Sequence, residues 1–342
     1  MDRPLVVLQS FPTPRPTTNP YIVMLGQSLA ATPGVELLTF TWRRFLLGRF
    51  DVFHAHWPEI LVSGQSPLKA LVRQLLFLVA LVRLRLTRRP LVRTVHNLEL
   101  PQGISRRETA LLRLADRWTT LRIRINESTG AVDDEPVETI VHGHYRDWFA
   151  AHPRSEVVSG RLTFFGQVRR YKNVDRLLEV FAATGDLGQP LSLRVIGRPT
   201  SEELAAELRA AVDPADPRIS LDLDFVADPQ LVAEVSAAEL VVLPYREMHN
   251  SGSTLTALSL DRPVLVPDNA VNRALGEEVG GGWVLRYPGP FTADSLLDAL
   301  RTLRATPPAG RPDLHRREWD GAGLAHLAAY RRAVDALRRT PA

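Results

Sequence analysis

The chain has 342 residues, longer than one ordinary domain, so two domains are expected. An apolar fraction of 45% suffices for sizeable cores, and the absence of cysteine excludes disulfides and thiolate metal sites. The net charge is +4, but residues 1–150 carry 19 Lys and Arg against 13 Asp and Glu, while the remainder carries 23 against 25.

In chain order, Pro4–Leu8 reads as a buried strand, and no secretory signal precedes it. The proline-rich run Gln9–Pro20 cannot be helix or central strand and reads as the loop after that strand. No G-x-G-x-x-G follows, so the dinucleotide fingerprint is missing. Tyr21–Ala31 has helical spacing; Val35–Phe40 and Phe50–His54 are strands, the second running into His54-Ala55-His56-Trp57-Pro58-Glu59. Pro67–Thr87 is a long helix with basic residues around a strongly apolar middle. From Glu59 to Glu99 there is no intervening acid, and Lys69, Arg73, Arg83, Arg85, Arg88, Arg89 and Arg93 lie there. Such a surface suits an anionic partner: phospholipid headgroups, a lipid diphosphate or nucleic acid. Its longest charge-free piece, Gln74–Val82, is too short to cross a bilayer. The same apolar residues fit a helix lying on a membrane surface or one packed on a parallel sheet. Leu91–Val95 is a strand, followed by His96-Asn97-Leu98-Glu99. Arg106–Asp116 is helix, Trp118–Ile125 and Val137–Val141 are strands, and His142-Gly143-His144 follows the last of them.

The polar run 150–160 is the expected domain boundary, giving domains 1–152 and 153–342. Beyond it the alternation restarts. Arg161–Phe165 is a strand, 166–173 a loop, and Asn173 is set to cap a helix through Ala183. Leu191–Ile196 is a strand closed by Gly197. Ser201–Ala211 is helix, Ile219–Phe225 strand, Asp228–Ser236 helix and Glu239–Pro244 strand. Ser251–Leu260 is helix, Pro263–Pro267 and Trp283–Arg286 are strands, and Ala293–Arg304 and Asp313–Arg338 are helices. Strands alternating with helices predict the α/β class, with mostly parallel sheets covered on both faces.

In such sheets ligands bind beyond the carboxyl ends of the strands. There the helix opening on Ser251-Gly252-Ser253-Thr254 offers free backbone N–H groups, hydroxyls and a glycine, which together suit a phosphate. Ordinary helix capping by Ser251 or Ser253 explains the same letters. Arg169 and Lys172, three apart on a loop of the same domain, can clamp a diphosphate, Arg as a fork and Lys as a point charge. A solvated basic loop is the alternative. In the first half, polar clusters fall at four strand ends, three of them bearing histidine: His54–Glu59, His96–Glu99 and His142–His144. Their convergence on one sheet edge would make a site. The spacing matches no metal-ligand pattern, so no metal site is expected.

Gly166-Gln167-Val168-Arg169, with Tyr171-Lys172-Asn173, resembles the phosphate loop of GT-B glycosyltransferases. Leu243-Pro244-Tyr245, Asn250-Ser251-Gly252-Ser253 and Arg262-Pro263-Val264 resemble their donor-binding strand, loop and helix. More narrowly, His56-Trp57-Pro58-Glu59, Thr94-Val95-His96-Asn97-Leu98, His142-Gly143-His144-Tyr145-Arg146 and Asn250-Ser251-Gly252-Ser253 resemble a bacterial exopolysaccharide group. That group includes GDP-mannose:glycolipid β-1,4-mannosyltransferases. The resemblance spans nearly the whole chain, with its blocks in order. It implies two Rossmann-like domains facing across a cleft, donor nucleotide on the second and acceptor on the first, with the last helix crossing back to the first. Many retaining members carry two glutamates eight positions apart in the donor loop. Here Glu247 is followed at that distance by Leu255, which favours inversion.

The expected activity is therefore sugar transfer, with mannose from GDP-mannose as the best guess, to a glycolipid or oligosaccharide hydroxyl. Arg169, Lys172, Ser251, Gly252, Ser253 and Thr254 would bind the donor diphosphate without a metal or other cofactor. Gly197, Tyr245, Glu247 and Asn250 would meet the nucleotide or sugar. Glu59 is the first candidate for the base, with His56, His96 and His144 behind it. The enzyme is expected to be cytoplasmic and peripheral on the inner face of the plasma membrane, with the basic helix Lys69–Arg93 on an anionic surface and no nucleic acid bound. Rival readings are a nucleotide-sugar epimerase or binding protein of the same fold, and a basic nucleic-acid-binding protein without a recognisable reader motif.

Overall fold

A computed structural model describes residues 3–97, 100–101, 103–127, 136–184, 190–249 and 252–339. The chain divides into two compact units, Met1–Gly143 with Arg316–Ala342, and His144–His315. The division thus falls at Gly143–His144 rather than in 150–160, and the last helix belongs with the first unit.

Unit 1 is a six-stranded sheet of β1 (Leu5–Gln9), β2 (Val35–Leu38), β3 (Val52–Ala55), β4 (Leu91–Val95), β5 (Leu121–Arg124) and β6 (Val137–Thr139). The order is β2-β1-β3-β4-β5-β6 and every pairing is parallel. The crossovers hold α1 (Pro20–Ala31), α2 (Trp42–Leu47), α3 (Glu59–Val62), α4 (Pro67–Leu86) and α5 (Arg106–Arg117). Helix starts follow the sequence signals. Asn19 accepts from the Tyr21 amide ahead of Pro20, Ser66 accepts from Lys69 ahead of Pro67, and Ser105 with Glu108 forms a reciprocal capping box. Phe45, Phe53, Phe77, Leu81, Leu84 and Leu112 share one buried core.

Unit 2 repeats the plan. It opens with the single-turn α6 (Arg146–Phe149), then β7 (Arg161–Phe165), α7 (Val174–Ala182), β8 (Ser192–Ile196), α8 (Glu202–Ala210), β9 (Ile219–Asp222) and α9 (Asp228–Ser236). There follow β10 (Leu240–Val242), α10 (Gly252–Ser259), β11 (Val264–Pro267), α11 (Ala270–Val279), β12 (Val284–Tyr287) and α12 (Ala293–Ala305). The sheet order is β12-β11-β10-β7-β8-β9, again parallel throughout. Strand order reverses between β7 and β10, the switch point where doubly wound sheets bind ligands.

The last helix, α13 (Trp319–Arg339), begins six residues later than its periodicity suggests. It lies on α1 within unit 1. The Ser28 hydroxyl donates to the Trp319 carbonyl at 2.7 Å, and Tyr330 is fully buried. The helices approach at Gly323, where an added Cβ would stand 2.0 Å from Thr32 Oγ1 and 2.8 Å from the Ser28 carbonyl. Asn173 does not cap α7 as expected. It sits in the left-handed region (φ 60°), makes no capping bond, and accepts from Arg246 Nε at 2.9 Å instead. Among the described residues no helix is long and apolar enough to cross a membrane.

Gly323→Ala should force α13 off α1 and cost about 1–3 kcal/mol. Urea unfolding followed by tryptophan fluorescence should show the loss in unit 1, and an unchanged midpoint would contradict the close approach.

Candidate active site

The phosphate-binding candidates of unit 2 meet at the carboxyl end of β7. Gly166, the first residue after that strand, has φ +97°, a region in which a side chain is strained. Its amide donates to the Ile196 carbonyl, and Gly197 packs so closely behind it that a Cβ there would lie 2.3 Å from the Gly166 carbonyl oxygen. Gly197 therefore holds the loop in place. The open side of Gly166 faces two polar atoms. A Cβ built on it would be 3.4 Å from Lys172 Nζ and 3.6 Å from Ser253 Oγ, so the ammonium and the hydroxyl flank one spot.

Lys172 reaches that spot from a single 3-10 turn, Arg170–Lys172, and is buried. Its Nζ lies over the rings of Tyr245 (5.1 Å to the centroid) and Phe164 (5.9 Å), and no described residue gives it a carboxylate partner. Burial, and secondarily the nearby Arg169 guanidinium, pull its pKa down to about 8. The Tyr245 hydroxyl donates to Ser253 Oγ at 3.1 Å, in the first turn of α10. Arg246 binds the two loops together, its amide donating to the Tyr171 carbonyl and its Nε to Asn173. Thr254 is buried one residue further along α10.

Other candidates sit differently. Arg169 is exposed and its guanidinium donates to Gln167 Oε1, at 2.9 and 3.1 Å, while standing near enough to Lys172 to lower its pKa. The open face of Gly252 is taken by the Tyr145 hydroxyl, 3.3 Å from where its Cβ would be. The glycine beside Lys172 and Ser253 is Gly166. Glu247 is exposed; Asn250 and Ser251 lie outside the described residues.

In unit 1 the strand ends bring His56 and His96 together, with Nδ1 of His56 3.3 Å from Nε2 of His96. One self-consistent set of protons runs through the bonds around them. In this set Gln9 Nε2 donates to the Tyr330 hydroxyl at 3.2 Å, and that hydroxyl donates to His54 Nδ1 at 2.8 Å. His54 then donates from Nε2 to Thr94 Oγ1 at 2.8 Å. On the other side Gln9 Oε1 accepts from His56 Nε2 at 3.0 Å, leaving His56 Nδ1 to accept from His96 Nε2. The chain His96, His56, Gln9, Tyr330, His54, Thr94 runs in one direction through neutral imidazoles. Burial holds them neutral: it lowers His56 to about 3, with His326 adding repulsion, and takes His54 and His96 well below the ordinary value, with His56 adding to both. The ring of His96 stacks on Trp57 at 4.0 Å, with Tyr21 edge-on at 5.3 Å.

His144 does not join this cluster. It belongs to unit 2, where its Nδ1 accepts from the Arg146 amide at 3.2 Å. The third strand-end histidine of unit 1 is His142, whose ring lies 4.5 Å from Tyr21. Glu59 opens α3 and is half-buried. Burial raises its pKa, opposed by a backbone hydrogen bond and by Arg93. It makes no hydrogen bond to His56 or His96 among the described residues. Adjacency in sequence thus gives no coupling between His56 and Glu59. Tyr21, Tyr330 and His326 escaped the sequence reading, and Gln9 entered it only as the start of the polar cluster after the first strand. The i, i+4 spacing of His326 and Tyr330 on the last helix was the available signal. Among the described residues no group of three or more His, Asp or Glu side chains is placed to hold a metal ion.

Two parallel doubly wound units, the second with a buried cation and a hydroxyl at its switch point, define the class of nucleotide-dependent transferases built on the GT-B fold. Residues 159–305 match the family described as glycosyl transferases group 1. A GDP-mannose:glycolipid 4-beta-D-mannosyltransferase from Xanthomonas campestris pv. campestris is 44% identical over 331 residues, covering 96% of this chain and 93% of that protein. Anabaena HepE, solved in complex with UDP and glucose, aligns with a TM-score of 0.58 at 15% identity over 98% of both chains. WaaG, a glycosyltransferase involved in lipopolysaccharide biosynthesis, aligns at 0.55 and 13% identity over 98% of this chain and 100% of its own. The last two likenesses show the fold alone. The chain belongs to the group 1 glycosyl transferases and is a hexosyltransferase of GT-B fold.

Burial of neutral histidines has a consequence for stability. His56 and His326 fall to about 3 and about 4 in the folded protein. A depressed folded pKa means stability is intact above the unfolded value and is lost as pH falls through the window below it. Between pH ~6.5 and pH ~5 each such histidine should therefore cost about 2 kcal/mol. Melting points of the wild type across that window should fall steeply, and His326→Leu should flatten the slope. A slope unchanged by His326→Leu would contradict the assignment.

Proposed function

We infer that this enzyme moves mannose from GDP-mannose to a hydroxyl of a glycolipid, forming a β-1,4 linkage with inversion and without a metal. The observation that carries the reading is Lys172, a buried ammonium with no carboxylate partner among the described residues, beside Ser253 and the open face of Gly166. Burying such a cation carries a cost that a bound anion would offset. The relative at 44% identity bears the name of this reaction, which supports the sugar, the base and the acceptor class.

In the reaction the bond from the anomeric carbon to the β-phosphate oxygen breaks and the acceptor oxygen takes its place. Charge grows on the departing diphosphate, and Lys172, Ser253 and the first amides of α10 would receive it. Arg169 would have to leave Gln167 to add its fork. Thr254, Gly252 and the loop residues Asn250 and Ser251 would complete the anion pocket, with Tyr245 holding Ser253 and Glu247 available to the donor sugar. The acceptor proton needs a base. Glu59 is the better candidate because its carboxylate makes no hydrogen bond to the histidine chain, whereas both ring nitrogens of His56 are already engaged. His96 would orient the acceptor from its stack on Trp57. A glycolipid acceptor entails work at a membrane, with the protein cytoplasmic and peripheral on its inner face, and with no nucleic acid as partner.

Thermal-shift ranking should favour GDP-mannose over UDP- and TDP-sugars, since a ligand of the folded state raises the melting point with its affinity. Lys172→Met should weaken GDP binding roughly tenfold to a hundredfold, the worth of a charged hydrogen bond. Wild-type GDP affinity should decline as pH rises through about 8, where the free ammonium loses its proton. GDP affinity unaffected by both changes would overturn the anion pocket. Glu59→Gln should abolish turnover and leave GDP affinity unchanged; undiminished turnover would remove Glu59 as the base.

A further inference from the structure

Helix α4 is apolar on two opposite faces. Gln74, Phe77, Ala80, Leu81 and Leu84 face the core of unit 1. Diametrically across the helix, Leu68, Val72, Leu75, Val79, Val82 and Leu86 recur at intervals of three and four and are all exposed, Leu68 by 70% and Leu86 by 79%. This second stripe runs about 27 Å along one ridge. A helix apolar all round is ordinarily buried, and here only one face is covered within unit 1. Exposed apolar patches of this extent mark interaction sites.

The surroundings say what covers it. Lys69 and Arg85 are exposed on either side of the stripe, and no acidic residue occurs between Glu59 and Glu99. Arg83 donates to the carbonyls of Phe45 and Gly48, holding α2 alongside α4. That helix adds its own exposed Leu47 (77%) and the exposed Arg43 and Arg44. At the carboxyl end of α4, Leu86 and Arg85 also line a cavity of about 350 Å³ with an apolar floor of Leu84, Leu91 and Trp118. Arg88 and Arg89 stand at the same cavity.

We propose that α4 docks unit 1 on an anionic lipid surface, the stripe entering the acyl boundary and the flanking Lys and Arg residues meeting headgroup phosphates. An apolar ridge between basic rows matches the cross-section of a lipid interface. A second copy of the chain fits worse, because face-to-face packing on this stripe would set like charges against one another. The helix lies on the surface and does not cross it, being too charged to span. The proposal deepens the membrane-bound glycolipid reading above, but its test uses neither donor nor acceptor, so each can fail alone.

The full-length protein should co-sediment with vesicles of phosphatidylcholine mixed with phosphatidylglycerol, and bind pure phosphatidylcholine vesicles less well. Leu75→Gln/Val79→Gln and Lys69→Glu/Arg85→Glu alter only exposed side chains. Each pair should lower partition into the mixed vesicles about tenfold or more. Melting temperature and the GDP thermal shift should stay at wild-type values, which shows that the fold and the donor site are intact. Three results would overturn the proposal: a wild type that stays in the supernatant, paired variants that bind as well as it does, or a wild-type dimer that Leu75→Gln/Val79→Gln converts to a monomer. The last would assign the stripe to a second copy.

Discussion

A buried ammonium needs an anion, and much of unit 2 can be read as the means of keeping Lys172 without one of its own. Phe164 and Tyr245 supply ring faces that are electrostatically tolerable neighbours for a cation but do not neutralise it. Gly166 takes a left-handed turn so that no side chain intrudes, and Gly197 packs behind it so that the turn cannot relax. Filling the spot with a carboxylate would restore the ordinary lysine pKa and close the site to a diphosphate. The depressed value of about 8 is the visible cost of leaving it open. That cost is tolerable because the lysine keeps its proton near neutral pH and a phosphate dianion would hold it there more firmly.

Unit 1 solves the reverse problem. Its sheet edge carries histidines that would repel one another if charged, and burial keeps them neutral. With Gln9 donating to Tyr330, one set of neutral tautomers satisfies every bond along the chain. His326 marks the limit of this arrangement. Its Nδ1 is bonded to the Ala322 carbonyl while its Nε2 is buried without a hydrogen-bond partner, so protonation there would strand a charge. Tyr330 and His326 reach the cluster from the last helix, which makes the carboxyl-terminal segment part of the first unit's polar core and explains why that helix is grouped there.

The parallel architecture was legible because strands in doubly wound sheets are mostly apolar runs, and each of the twelve strands in the two described sheets could be read as a strand from the sequence. Short helices were not legible. Glu59–Val62 is a single turn whose residues carry no period, and Ala270–Val279 was hidden because its apolar positions are few and follow a strand ending in proline. Lys172 and Ser253 could be named from sequence as a cation and a hydroxyl near one strand end. Which glycine stood open beside them could not, since Gly166 and Gly252 differ only in what fills the space at their Cα. Likewise His142 and His144, two residues apart, look equivalent until the division of the chain assigns one to each unit.

The contrast between the two sites bears on which residue can take a proton from the acceptor. A base must have a free lone pair and a pKa that is not too far below the working pH. The histidines of unit 1 fail both conditions where they are bonded on each nitrogen, as His54 and His56 are, because a proton arriving there must break a bond and charge a buried ring. For Glu59, burial raises the pKa, opposed by a backbone hydrogen bond and by Arg93, which suits the base proposed above better than the doubly bonded histidines do. The neutral histidine chain then has a role that a charged one could not fill. It presents fixed donors and acceptors without adding positive charge to the sheet edge of unit 1.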